Sequence, residues 1–256
     1  MNIFVFDIET VPDITSGRRL LGLENLPDEA VVAAMQSLQK EANGQTFVKH
    51  HLQKIVAISV VFRHKDQVKV WSLGEVDSPE DEIIQRFYAG LEKYVPTLVS
   101  WNGSQFDLPV LHYRTLLHGI VAPTYWEMGE NNNSFKYNNY LSRYHTRHID
   151  LMDILAAYQQ RAFVKLDEMA TMLGFPGKMG MDGKQVGEKY FQGQIDKIRQ
   201  YCETDVLNTY LIFLRFQLMR GILTLDTYQY ELELLQSYLK GSPLDHLKAF
   251  LNAWQS

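Results

Sequence analysis

Residues 2–11 read NIFVFDIETV: after Asn2, four apolar residues run into two carboxylates, Asp7 and Glu9, one residue apart. The apolar run over 2–6 predicts a short, fully buried strand. Extended backbone has a side-chain period of two, so the two acids share one face. Two like charges on one face of a buried strand are costly unless a cation sits between them. In isolation D-x-E is common and fits a solvated strand end, so the rest of the chain has to decide what these acids are for.

Working outward, residues 13–50 break the strand pattern, and PDEAVVAAMQSLQKEANG carries Asp28 at a helix start and Gly44 at its end. This reads as a helical insertion. HLQKIVAISVVFRHKDQVKVWSLG reads as a hairpin, β-branched over 55–61 with a charged turn at 63–67. SPEDEIIQRFYAGLEKYV is a helix with Ser78 as its expected cap, Pro79 in the first turn and acids at the N-terminal end. TLVSW is a buried strand, DLPVLHYRTLLHGI a helix, RHIDL a short strand and MDILAAYQQ the start of a helix. KLDEMATMLGF, a Gly/Lys loop over 176–187 and a long helix from about 195 to 219 follow. Two closing helices lie in residues 221–256, and this pair is expected to pack on the same domain. The order predicts an α/β or α+β chain with a mixed sheet.

Two further acids stand out. In LVSWNGSQFDLPVL a strand ends at Trp101, a turn follows with Asn102 and Gly103, and Asp107 opens a helix, where an acid is electrostatically favoured and also reads as a simple cap. In YCETDVLNTYLIFLR, Tyr201 and Asp205 are four apart and share a helix face, while Cys202, Val206 and Phe213 read as core neighbours. If Asp7, Glu9, Asp107 and Asp205 converge, only cations can hold them together. An all-oxygen donor set selects Mg²⁺ or Mn²⁺ over zinc. Two such ions about 4 Å apart clamp an in-line displacement at phosphorus.

FDIET, WNGSQFDLPVL and YCETDV resemble, in order and spacing, the three exonuclease motifs of the DEDD superfamily. The likeness spans residues 1–220 and is strongest to the proofreading exonuclease domain of family B DNA polymerases, in a free-standing version. IDLMDIL and KLDEMATMLGF resemble that family's linking segments. The resemblance implies a ribonuclease H-like mixed five-stranded sheet flanked by helices, with a C-terminal helical extension. One branch of the superfamily has a histidine five residues before the last aspartate, where this chain has Gln200; the other has a tyrosine four before it, here Tyr201. The tyrosine branch is the match. It implies that Asp7, Glu9, Asp107 and Asp205 hold two divalent metal ions, and that Tyr201 orients the attacking water, since a phenol of pKa near 10 is a poor base. It also implies that Thr10, Asn102 and Phe106 touch the terminal nucleotide. Asn102 reads equally as a left-handed turn residue and Phe106 as core. Asp150 and Asp153 are expected to cap.

The implied substrate is the 3′ end of single-stranded DNA or RNA. Residues 131–149 hold Lys136, Arg143 and Arg147 with Phe135, Tyr137, Tyr140 and Tyr144 between them and no acid. Cations track phosphates while aromatic faces stack bases, so this segment is a candidate strand contact; it reads equally as a surface loop packed by its own tyrosines. Lys178, Lys184 and Lys189 around the Gly-rich loop read as a solvated loop, with a phosphate contact as the alternative. The chain of 256 residues carries a formal net charge of -5, which argues against a broad basic surface but not a local one. With one cysteine and no signal-like or membrane-length apolar segment, a cytoplasmic home is expected. A polymerase or repair partner would have to be a separate chain. The rival readings are a catalytically silent nucleic-acid-binding module of the same fold and a structure-specific endonuclease.

Overall fold

The computed structural model describes residues 2–255. Five strands, β1 (Asn2–Pro12), β2 (Gln53–His64), β3 (Gln67–Ser72), β4 (Thr97–Ser100) and β5 (His148–Asp150), form one sheet in the order β3-β2-β1-β4-β5. The hairpin pairs antiparallel with itself and with β1, whereas β1, β4 and β5 run parallel. Helices α1 (Ile14–Leu21), α2 (Asp28–Asn43), α3 (Glu80–Tyr94), α4 (Asp107–His118), α5 (Pro123–Trp126), α6 (Leu151–Leu155), α7 (Leu166–Met172), α8 (Val186–Phe191), α9 (Ile195–Met219), α10 (Leu225–Gly241) and α11 (Asp245–Gln255) surround it. The molecule is α/β with a mixed five-stranded sheet between helices, consistent with the ribonuclease H-like fold.

The first strand outruns its apolar stretch. β1 continues through Pro12 because β2 pairs along its whole length, so Asp7 and Glu9 lie inside the strand, not at its end. The register breaks after them: Glu9 faces Ala57 and Thr10 faces Ile55, leaving Val56 as the extra residue of a bulge. Strand parity then sorts the core. Phe4, Phe6 and Ile8 pack with Ile84, Phe87 and Leu91 of α3 and Leu111 of α4. Ile3 and Val5 pack on the other side with Val206, Tyr210 and Phe213 of α9. Asp7 and Glu9 share the odd parity, so they are delivered to the α9 face.

α9 is the buried spine of that layer. Arg199 near its start donates to the carbonyls of Ser72, Gly74 and Glu75, fixing it against the end of β3. α10 and α11 cover the same face: Leu235, Leu239, Leu247 and Phe250 join the α9 core, each fully buried side chain contributing about 1.5–3 kcal/mol. Arg63 of β2 and Glu231 of α10 form a buried two-bond ion pair at 2.7 and 2.8 Å, and Tyr210 donates to the same carboxylate at 3.1 Å. The Tyr238 hydroxyl meets both the N–H and the C=O of Val70, covering part of the exposed edge of β3.

On the other face Arg114 of α4 ties Glu80 and Asp13 together, and Glu80 also accepts the Ile55 N–H at 2.6 Å. Ser78 does not cap α3. Its hydroxyl accepts from Glu75 N, and Pro79 occupies the N-cap position without a side-chain bond. Gly44 closes α2 in the left-handed conformation at φ 77°, as its place in the sequence predicts.

Candidate active site

Three elements bring the acids together. β1 supplies Asp7 and Glu9, α4 supplies Asp107 in its first turn, and α9 supplies Asp205. Glu9 and Asp107 are buried, Asp7 and Asp205 half-buried. Asp107 does not cap its own helix. Its Oδ1 reaches across to accept the Ile8 N–H at 3.1 Å, placing this carboxylate directly beside the β1 pair. Carboxylate oxygens of Asp7 and Glu9 lie within 4.8 Å of one another and of the Cys202 sulfur.

Electrostatics mark the cluster as unfinished. Burial, then repulsion from Asp107 and Asp205, raises the Asp7 pKa well above the usual carboxylate range; burial and Asp7 do the same to Glu9. Burial pushes Asp107 and Asp205 up to about 7 each. Among the described residues no lysine or arginine forms an ion pair with any of the four. Four oxygen ligands without a paired cationic side chain are a donor set that a hard divalent cation completes. Cys202 is a poor candidate ligand despite its position. Burial holds its thiol protonated, and it donates to Asp7 O at 3.4 Å and Asp7 Oδ2 at 3.5 Å.

Tyr201 hydrogen-bonds Asp205 one helical turn away, and this bond favours the aspartate's charged form. Burial and three nearby carboxylates push the phenol pKa far up, so it stays protonated at any working pH. A 180 Å³ cleft lies against Tyr201 and Asp205, with Lys165, Asp167 and Lys178 on its other wall. Lys178 lowers the Asp205 pKa across this cleft, although its ammonium also pairs with Asp182 at 3.2 Å. The sequence reads it as a solvated loop lysine, with a phosphate contact as the alternative, and not as a neighbour of Asp205. The fold alone brings residue 178 beside 205; the local signal is no more than a lysine in a Gly-rich loop.

The other expected contacts fall into two groups. Thr10, Asn102 and Phe106 are half-buried. Asn102 is in the left-handed region at φ 68°, the turn role its sequence context also allows, and its N–H and that of Ser104 donate to Asp150 at 2.9 Å each. Asp150 also caps α6 by accepting the Asp153 N–H. Phe106 packs against the core around Phe6 and Ile8, as one of its sequence readings allows, and its ring also meets Phe47 and His50 at the end of the helical insertion, 5.5 and 5.6 Å between centroids.

Residues 131–149 depart from the expected pattern. Phe135 and Tyr140 are 2% exposed and cannot stack on bases. Arg147 lies 4.0 Å over the Phe135 ring and donates to the Asn138 carbonyl. Arg143 is held by Asp153 at 2.6 Å, so Asp153 anchors an arginine instead of capping. The segment has no acid of its own, but the fold supplies one from α6. Lys136, Tyr137 and Tyr144 are exposed, and so is Arg143 despite its ion pair. A 540 Å³ cavity lies between this segment and α4, lined by Ser104, His112, Tyr140 and Arg143.

No described helix is long and apolar enough to cross a membrane. A DNA polymerase of Archaeoglobus fulgidus is 25% identical over 161 residues, covering 62% of this chain but only 19% of the polymerase. A family model described as a predicted 3′-5′ exonuclease related to the exonuclease domain of PolB matches residues 45–254, a stretch that contains Asp107, Tyr201 and Asp205 and begins after Asp7 and Glu9. With that match covering most of its length, this chain belongs to the family of predicted 3′-5′ exonucleases related to the PolB exonuclease domain.

Proposed function

We propose that the protein is a metal-dependent 3′→5′ exonuclease that hydrolyses phosphodiester bonds at the 3′ end of single-stranded DNA or RNA and releases nucleoside 5′-monophosphates. The observation that carries this reading is the meeting of four carboxylates from β1, α4 and α9 with no lysine or arginine paired to them among the described residues. Asp7, Glu9, Asp107 and Asp205 would hold two Mg²⁺ or Mn²⁺ ions. When bound, such ions activate water and stabilise the leaving oxygen.

The chain's own groups do the rest. Tyr201 donates its proton to Asp205 and keeps oxygen lone pairs free to accept from a water, so it orients the nucleophile without acting as a base. Thr10, next to Glu9 on β1, and Asn102 and Phe106, just before Asp107, would contact the terminal nucleotide. Phe47 and His50 close one side of Phe106, which favours a strand end over a strand passing through. Lys136 with the exposed Tyr137 and Tyr144 would meet the strand further out.

The test is a time course on 3′- and 5′-labelled DNA and RNA oligonucleotides with Mg²⁺, Mn²⁺ or chelator, alongside Asp7→Ala. Stepwise mononucleotide release that stops with chelator and with Asp7→Ala is expected. Binding without release would favour a silent module, and cleavage of a circular single strand an endonuclease; either would overturn the proposal.

A further inference from the structure

A line of polar side chains crosses the sheet beneath α9. Asp7 faces Ser59 across the β1–β2 ladder, and Ser59 faces Ser72 across the β2–β3 ladder. Residues directly opposite in antiparallel pairs lie on the same face, so the three form one row from the centre of the sheet to its edge. The row is bonded. Ser59 Oγ and Ser72 Oγ are 2.8 Å apart, Ser72 donates to Glu203 Oε1 at 2.7 Å, and His246 Nε2 meets Glu203 Oε2 at 2.6 Å. With its own proton given to Glu203, Ser72 accepts from Ser59. At the inner end Ser59 faces Asp7 across the ladder, and Cys202, the residue before Glu203 on α9, donates to Asp7. The bonds run from Ser59, opposite Asp7, to a histidine on α11, and Cys202 beside Glu203 carries the contact to Asp7 itself.

This row costs the fold something. Ser59 and Cys202 are fully buried, and Ser72 and Glu203 are 4% and 6% exposed. Their neighbours in the same layer are Val5, Val61, Val70 and Val206, so apolar side chains would fill these places without any desolvated carboxylate. The apolar layer is interrupted along one line, and that line ends on Asp7. A fully satisfied buried network fixes the geometry of its members more tightly than packing alone. Glu203 is held between the sheet and α11, so the orientation of the row depends on the C-terminal helical pair.

We propose that Cys202, Ser59, Ser72, Glu203 and His246 are positioning residues through which α11 holds the Asp7 carboxylate in the orientation its metal site requires. The inference rests on the metal-dependent reading above. It makes the C-terminal helices part of the active centre, not only a cover for the core.

The experiment measures Mn²⁺ binding to the metal-free protein by calorimetry and electron paramagnetic resonance, with kcat and KM on a short oligonucleotide measured beside it. Ser72→Ala and His246→Gln should weaken Mn²⁺ binding about 10- to 100-fold, the range found for partners that orient metal-binding side chains. kcat should fall by a similar factor with KM for the oligonucleotide little changed. Ser72→Thr, which restores the hydroxyl, should recover both, and Lys248→Ala, exposed on the same helix, should behave as wild type. His246 lies at the periphery of the row, so His246→Gln keeps the test open should Ser72→Ala fail to fold. Wild-type Mn²⁺ affinity in folded Ser72→Ala or His246→Gln would overturn the positioning role while leaving the exonuclease reading intact. A wild-type protein that binds no Mn²⁺ would overturn the metal reading and the positioning role with it.

Discussion

Replacing Asp107 with asparagine should stabilise the metal-free protein while abolishing its function. Asp107 is 3% exposed, and its carboxyl is raised from the ordinary 3.8 to about 7, mainly by burial. At about 1.4 kcal/mol per pKa unit, keeping it ionised in the folded state costs up to about 4 kcal/mol. The sign follows from the raised value. Below pH 4 the group is protonated in both states and costs nothing; the cost grows as pH rises toward 7 and is complete above it. The Oδ1 of the introduced asparagine would still accept the Ile8 N–H, but its amide protons gain no partner in place of the lost charge, which returns about 1–3 kcal/mol. The net gain at pH 8 is about 1–3 kcal/mol, or roughly 3–10 °C in Tm for a chain of this size. The assay is thermal unfolding of wild type and Asp107→Asn with chelator from pH 4.5 to 8.5. The variant's advantage should appear only as pH rises, and saturating Mg²⁺ should stabilise wild type more than the variant. A Tm difference independent of pH, or a variant no more stable at pH 8, would refute the argument that this carboxylate is buried without a counter-charge.

Tyr201→Phe keeps the ring and removes the hydroxyl, and should slow hydrolysis roughly 10- to 1000-fold without the complete loss expected for Asp205→Ala; full activity from pH 6 to 9 would make the tyrosine structural. Glu231→Gln leaves Arg63 buried against a neutral amide and should cost about 3–5 kcal/mol in chemical denaturation. Because Arg143 is paired with Asp153 and Arg147 lies against the Phe135 ring, Lys136→Gln alone should flatten the log–log salt dependence of single-strand binding by about 0.7. An unchanged slope would move the strand path toward the lysines of 178–189.

Local pattern carries the strands, the long α9 and the pairing of Tyr201 with Asp205, because helix and strand periodicity are properties of neighbouring residues. Period two alone places Asp7 and Glu9 on one face, and the order of the three motifs points to the family. What local pattern cannot reach is anything set by pairing across the chain. β1 runs past its apolar stretch because β2 hydrogen-bonds its whole length. The cations of 131–149 look free in the sequence because Asp153, which holds Arg143, lies outside that window. Ser59, Ser72, Glu203 and His246 each read as ordinary residues, and only the registers β1–β2 and β2–β3 with the docking of α11 join them to Asp7. A carboxylate's neighbours within four residues are written in the sequence; its neighbours across a sheet are decided by which strands pair and in what register.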